Sequence, residues 1–92
     1  MEILISKLLE SKSQLISEIS QKFHISLNGA KEFLTLAVIE WAKTNYSLKT
    51  SEKTVFGSSD LIQKLEQDIC NWTSNDFDDE DFQIIGYCKN IR

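Results

Sequence analysis

The sequence contains no proline, a single histidine, two cysteines and three glycines, and these shortages exclude several kinds of site. A zinc site needs about four nitrogen or sulfur ligands, whereas His24, Cys70 and Cys88 supply three at most. Nucleophilic catalysis needs a base held against the nucleophile, and no spacing brings either cysteine near His24. The glycines are isolated, so there is no glycine-rich phosphate loop. We therefore expect a protein that is not an enzyme and that uses no cofactor or metal.

Long apolar runs are also missing. No run approaches the ~18 residues that a membrane span needs, and the first ten residues lack a basic leader and a small-residue cleavage site. We therefore expect a cytoplasmic protein that does not contact a membrane, with both cysteines reduced and partly buried. The lack of proline and the abundance of Ile, Lys, Asn and Ser indicate an AT-rich genome, bacterial or phage.

Positive charge is scarce in the second part of the chain. Residues 1–57 hold seven lysines and six acids, whereas residues 58–92 hold three basic residues and eight acids. The net charge of −4 is too small for a mimic of duplex DNA, which would need acids along its whole length.

Apolar residues at helical spacing are abundant and predict a single all-α domain of four to five short helices. Runs at 3–9 and 15–23 are separated by a break at 11–13, and a helix follows from about Leu27 to Thr44. That helix is apolar nearly all round, so we expect it to be the central buried helix or to meet a partner as well. Two further helices are predicted, from residues 58–60 to about Trp72 and from about Asp78 to Asn90. Both Trp41 and Trp72 are assigned to the core. The pattern of residues 46–56 is equally compatible with a small β-hairpin and with an irregular loop.

The stretch with the highest concentration of charge is an acidic run with aromatic neighbours. Residues 76–82 comprise five acids and two phenylalanines: Asp76, Phe77, Asp78, Asp79, Glu80, Asp81 and Phe82. A calcium loop would need glycine at its sixth position and glutamate at its twelfth, and these positions hold Asp81 and Tyr87. Acids at a helix start complement the helix dipole, but five exceed that role. We predict that residues 76–81, Phe77 included, form an exposed patch for a basic protein surface. The alternative is that these residues only form the start of a helix and do not bind a partner.

A second pattern lies at residues 18–34. Apolar residues stand at the inner positions of two short helices with a cap between them: Ile19, Phe23, Ser26, Ala30 and Leu34. The segment resembles the helix-turn-helix of DNA-binding proteins. This resemblance implies that DNA would be met by Lys22, Leu27, Asn28 and Lys31, with the asparagine able to read adenine. A tight helical corner that buries both helices gives the same pattern, and we favour it.

These patterns predict a small non-catalytic intracellular protein that binds another protein, as an adaptor or inhibitor. A phage- or mobile-element-borne inhibitor is one version of this hypothesis. The predicted binding surfaces are the acidic run and the surplus apolar surface of the 27–44 helix, which also favours a homodimer. The alternative is a nucleic-acid-binding regulator that uses the corner at 18–34.

Overall fold

The computed structural model of the protein describes residues 1–77. Within them the order of elements is β1 (Glu2–Leu4), α1 (Ile5–Leu9), α2 (Ser13–Phe23), α3 (Leu27–Tyr46), β2 (Lys49–Thr50), β3 (Thr54–Phe56) and α4 (Ser59–Cys70), followed by a 3₁₀ turn at Ser74–Asp76. The described part is mainly helical, as predicted. It is not all-α, because three short strands form a sheet. The helix predicted from about Asp78 lies outside the described residues.

The sheet joins two distant parts of the chain. It is antiparallel with the order β1-β3-β2, and Val55 pairs with both Ile3 and Thr50. The hairpin at 46–56 is therefore confirmed over the irregular loop, with Ser51 N donating to Thr54 O at 2.8 Å across its turn. The helix predicted for the run that starts at Ile3 is wrong at residues 3 and 4, which belong to β1. Pairing with β3 outweighs their helical spacing, since β-structure depends on neighbours more than on local preference.

The helix ends follow local sequence signals. The predicted break at 11–13 is confirmed, because α1 ends at Leu9 and α2 begins at Ser13. His24 ends α2 in the left-handed conformation (φ 56°), and the Ser26 side chain accepts a hydrogen bond from Gly29 N at 3.0 Å at the start of α3. α3 runs two residues beyond the predicted Thr44 and ends at Tyr46, with Ser47 as its left-handed C-cap.

The core of the described residues draws on all four of their α-helices. The fully buried large side chains include Ile5 of α1, Ile19 of α2, Phe33 of α3 and Ile62 of α4, and Val55 extends the core under the sheet. α3 contacts α1, α2, α4 and β2. None of the helices between residues 1 and 77 has the length and apolar character that a membrane crossing requires.

Two lysines at the ends of α2 hold the segment that follows α4. Lys12 Nζ donates to the carbonyls of Cys70 (3.0 Å) and Trp72 (3.2 Å). Lys22 Nζ donates to Ser74 O at 2.7 Å and also to the carbonyl of Phe77. A cation beside the last carbonyls of α4 complements the negative end of its dipole. The two lysines thereby fix residues 70–77 against α2.

Candidate functional site

A row of aromatic rings runs from the core to the surface. Phe23 and Phe33 lie 5.5 Å apart, Phe33 and Phe77 5.4 Å, Phe77 and Trp72 5.4 Å, and Trp72 and Trp41 6.0 Å, all measured between ring centroids. The last three pairs meet edge to face, which is a favoured arrangement for aromatic quadrupoles. The row begins at Phe23, which is half-buried, passes through the fully buried Phe33 and ends at Trp41, which is 38% exposed.

The exposed end of this row opens into a groove between α3, α4 and the 3₁₀ turn. Its volume is about 640 Å³, within the range of typical ligand sites. We call it the acidic-aromatic groove. The described residues that line it are Ala37, Glu40, Trp41, Thr44, Asn45, Asp68, Asn71, Trp72, Asp76 and Phe77.

Asp68 fixes the exposed tryptophan in one orientation. Its Oδ2 accepts hydrogen bonds from Trp41 Nε1 at 2.9 Å and from the Tyr46 hydroxyl at 2.5 Å. These bonds join α4 to the C-terminal half of α3. The hydrogen bond to Asp68 raises the pKa of Tyr46 above its ordinary value of 10.0, and burial and the negative charge of Asp68 act in the same direction. Trp41 is thus exposed but held by its hydrogen bond to Asp68 and its edge-to-face contact with Trp72.

The charged residues of the groove are all acidic. They are Glu40, Asp68 and Asp76, and no lysine, arginine or histidine is among the described residues that line it. Asp76 also has a structural role, since its carboxylate accepts from Thr73 N at 2.8 Å within a capping box. A groove with three carboxylates and no nearby cation in its lining presents a negative field to an approaching ligand.

The predicted acidic patch is only partly described by the structure. Phe77, predicted to be exposed, is 6% exposed and packs against Phe33 and Trp72. The sequence interpretation of Phe77 as surface is therefore wrong, because the 3₁₀ turn directs the chain back onto α2 and α3 instead of away from them. Asp76 is exposed and lines the groove. The other predicted patch residues, Asp78, Asp79, Glu80 and Asp81, lie outside the described residues.

The residues predicted to meet DNA lie on both sides of the turn between α2 and α3. Leu27 is 57% exposed, and Asn28 and Lys31 are exposed beside it in the first two turns of α3. The amino group of Lys22 instead contacts the carbonyls of Ser74 and Phe77. The groove lies along the other half of α3, from Ala37 to Asn45.

Sequence reasoning missed the centre of the groove. It assigned Trp41 to the core with Trp72, but only Trp72 is buried, at 9% exposed. It placed Tyr46 at the start of the predicted hairpin, whereas Tyr46 ends α3, and it gave no role to Asp68. A tryptophan is a residue type enriched at binding hot spots, and this was the one available signal. Nothing local links Trp41 to Asp68, which is 27 residues away.

The described residues give no sign of a metal site. Among residues 1–77 no three histidine, cysteine, aspartate or glutamate side chains are grouped so that they could hold a metal ion. Cys70 is a free, exposed thiol, so the expectation of a partly buried side chain is wrong for it. The other cysteine, Cys88, lies outside the described residues.

Comparison with models of protein families, with curated proteins and with solved structures gives no match to this chain. The case for a function therefore rests on the geometry of the groove.

Proposed function

We propose that this protein is a non-catalytic protein-binding module, an adaptor or inhibitor, and that the acidic-aromatic groove is its binding surface. The observation that carries the proposal is Trp41: a large aromatic side chain, 38% exposed, yet fixed by a hydrogen bond to Asp68 and an edge contact with Trp72. Tryptophan is among the residues that contribute most to protein interfaces.

The fixed orientation of Trp41 favours binding on physical grounds. An exposed side chain that becomes ordered on binding costs roughly 0.5–1.5 kcal/mol of conformational free energy. Trp41 is already ordered, so most of that cost is absent. The carboxylates of Glu40 and Asp76 beside it would attract a partner with a basic surface and speed association. The acidic residues 78–81 follow Asp76 in sequence and add to the negative charge of this part of the chain.

We also propose that α3 is the central helix of the fold and supplies the surplus apolar surface. Its contacts with α1, α2, α4 and β2 support the first part. Its exposed apolar residues, Leu27 and Trp41, support the second. An intracellular location is part of the same proposal, and the free thiol of Cys70 suits a reducing compartment.

The test compares two exposed aromatics of nearly equal exposure. Trp41 is 38% and Phe56 39% exposed, but Phe56 lies on the sheet and does not line the groove. Proteins captured from a lysate by the wild type, by Trp41→Ala and by Phe56→Ala are identified, and the affinity of the captured partner is then measured with purified protein. We expect Trp41→Ala to weaken binding at least tenfold and Phe56→Ala to leave it within about twofold, with wild-type helical content in both variants. Equal affinity of all three proteins for the partner would overturn the proposal.

The second candidate is a nucleic-acid-binding regulator, favoured by the exposed start of α3. Asn28 and Lys31 lie there, after a turn that Ser26 caps. The amino group of Lys22 is engaged elsewhere, which leaves one lysine of the predicted set for phosphate. We therefore expect weak duplex binding that falls steeply with salt. Submicromolar, sequence-selective binding that is lost in Asn28→Ala would place this candidate first.

A further inference from the structure

From the charge and the rings of the acidic-aromatic groove we infer what it binds: a lysine or arginine side chain of the partner, seated against the exposed part of the Trp41 ring. This inference rests on the proposed function and names the chemistry of the group that fills the groove.

The first support is charge complementarity. The described lining contains three carboxylates, on Glu40, Asp68 and Asp76, and no cationic side chain. Lys12 and Lys22 direct their amino groups to backbone carbonyls of residues 70–77. They neutralise the end of α4 and the turn, and they leave the carboxylates of the groove without an ion-pair partner among the described residues.

The second support is the aromatic wall. A cation is attracted to the face of a tryptophan ring, the best of the aromatic partners, when it lies within about 6 Å of the ring centroid. Asp68 Oδ2 already accepts from Trp41 and Tyr46, and this fixes the ring beside the carboxylate. The other oxygen of Asp68, Oδ1, makes no hydrogen bond with the described residues and is an acceptor for an incoming N–H. An exposed tryptophan ring and a charged acceptor held close together suit an ammonium or guanidinium group with an aliphatic stem.

The third support is the shape of the lining between the charges. Ala37, Trp72 and Phe77 give the groove an apolar floor, against which the methylene groups of a lysine or arginine can pack. A bare inorganic cation would gain nothing from such a floor, and an apolar side chain would leave the carboxylates unpaired. The groove therefore fits a long side chain with a charged end.

The probes are four blocked pentapeptides that share glycine flanks and carry arginine, lysine, norleucine or glutamate at the centre. Binding is followed by the NMR shift of the Trp41 indole N–H, which Trp41→Phe assigns. We expect the arginine and lysine peptides to shift this signal saturably at millimolar concentration. The norleucine peptide should bind at least threefold more weakly, and the glutamate peptide should give no shift. Binding of the two cationic peptides should weaken as salt rises.

Matched variants assign the charge effect to the groove. Glu40→Gln and Asp68→Asn keep the size of the side chain and remove one charge each. Each substitution should weaken the binding of the arginine peptide about threefold. Glu32→Gln is the control, because Glu32 is an exposed acid of the same helix that does not line the groove. It should leave binding unchanged.

Failure of this inference is separable from failure of the proposed function. Two results would show that a cationic side chain is the wrong occupant. In the first, the norleucine peptide binds as tightly as the arginine peptide. In the second, no peptide shifts the Trp41 signal at 10 mM, roughly tenfold above the expected dissociation constant. The comparison of Trp41→Ala with Phe56→Ala still decides whether the groove binds a protein. If Trp41→Ala also leaves the captured partner bound, both proposals fall.

Discussion

Replacing Phe77 with alanine should destabilise the protein strongly, although sequence alone placed this residue on the surface. Phe77 is 6% exposed and meets the rings of Phe33 and Trp72, each at a centroid distance of 5.4 Å. Truncating a buried phenylalanine costs about 3–5 kcal/mol, because transfer free energy is lost and a cavity is left. For a chain of this length the whole stability is on the order of 5–14 kcal/mol. We therefore expect the variant to lose roughly a fifth or more of its unfolding free energy.

Urea unfolding followed by tryptophan fluorescence measures this loss, with circular dichroism as the second probe. Phe56→Ala is the control: it is the same chemical change at a side chain that is 39% exposed on the sheet, and it should cost about 1 kcal/mol or less. The urea midpoint should fall with little change in slope, and the melting temperature should drop by roughly 12 °C or more. If Phe77→Ala costs no more than Phe56→Ala, the ring is not part of the core and the described packing of the 3₁₀ turn is incorrect.

Four further predictions address other parts of the molecule. Because the Tyr46 pKa is raised in the folded state, the stabilisation from its hydrogen bond to Asp68 should be fully present below about pH 10 and be lost as pH rises through the raised pKa. The difference between the alkaline absorbance titrations of wild type and Tyr46→Phe should show this raised pKa, and Asp68→Asn should bring the Tyr46 pKa back towards 10.0. A Tyr46 pKa that does not change in Asp68→Asn would contradict the hydrogen bond. Lys22→Met should lower the unfolding free energy by about 1 kcal/mol in urea titrations, since it removes the bonds to the carbonyls of Ser74 and Phe77, while Lys31→Met, at an exposed site, should not. Millimolar Ca²⁺, Mg²⁺ or Zn²⁺ should leave the melting temperature unchanged, and a saturable rise would reveal a metal site. Light scattering at high concentration should give the mass of a homodimer if the apolar surface of α3 meets a second copy, and a strictly monomeric mass would refute that expectation.

The features that could be predicted from the sequence are those whose causes lie within a few residues. Ser26 was recognised as a cap because its side chain and Gly29 N are three residues apart. The break at 11–13 is local in the same sense. Helix positions therefore agree with the apolar spacing to within a few residues.

The features that could not be predicted depend on distant partners. Ile3 and Leu4 have helical spacing but form part of a strand, because Ile3 pairs with Val55. The exposure of Trp41 and the burial of Phe77 depend on where α4 and the 3₁₀ turn pack, and Lys22 helps to set that packing from 52 and 55 residues away. No local sequence pattern encodes such pairings, so the groove could be identified only from the folded structure.

The position of β1 has a consequence for how the chain is made. Its residues pair with β3, as in Leu4 with Thr54, roughly 50 residues further on. At about 5–20 residues per second, a ribosome needs roughly 3–10 s to synthesise that interval. The contacts between α2 and α3 are local and can form during the wait, but the sheet cannot close until residue 56 has left the ribosome. During those seconds β1 remains an unpaired strand, and Ile3 and Leu4 on the nascent chain are open to chaperones and to neighbouring chains.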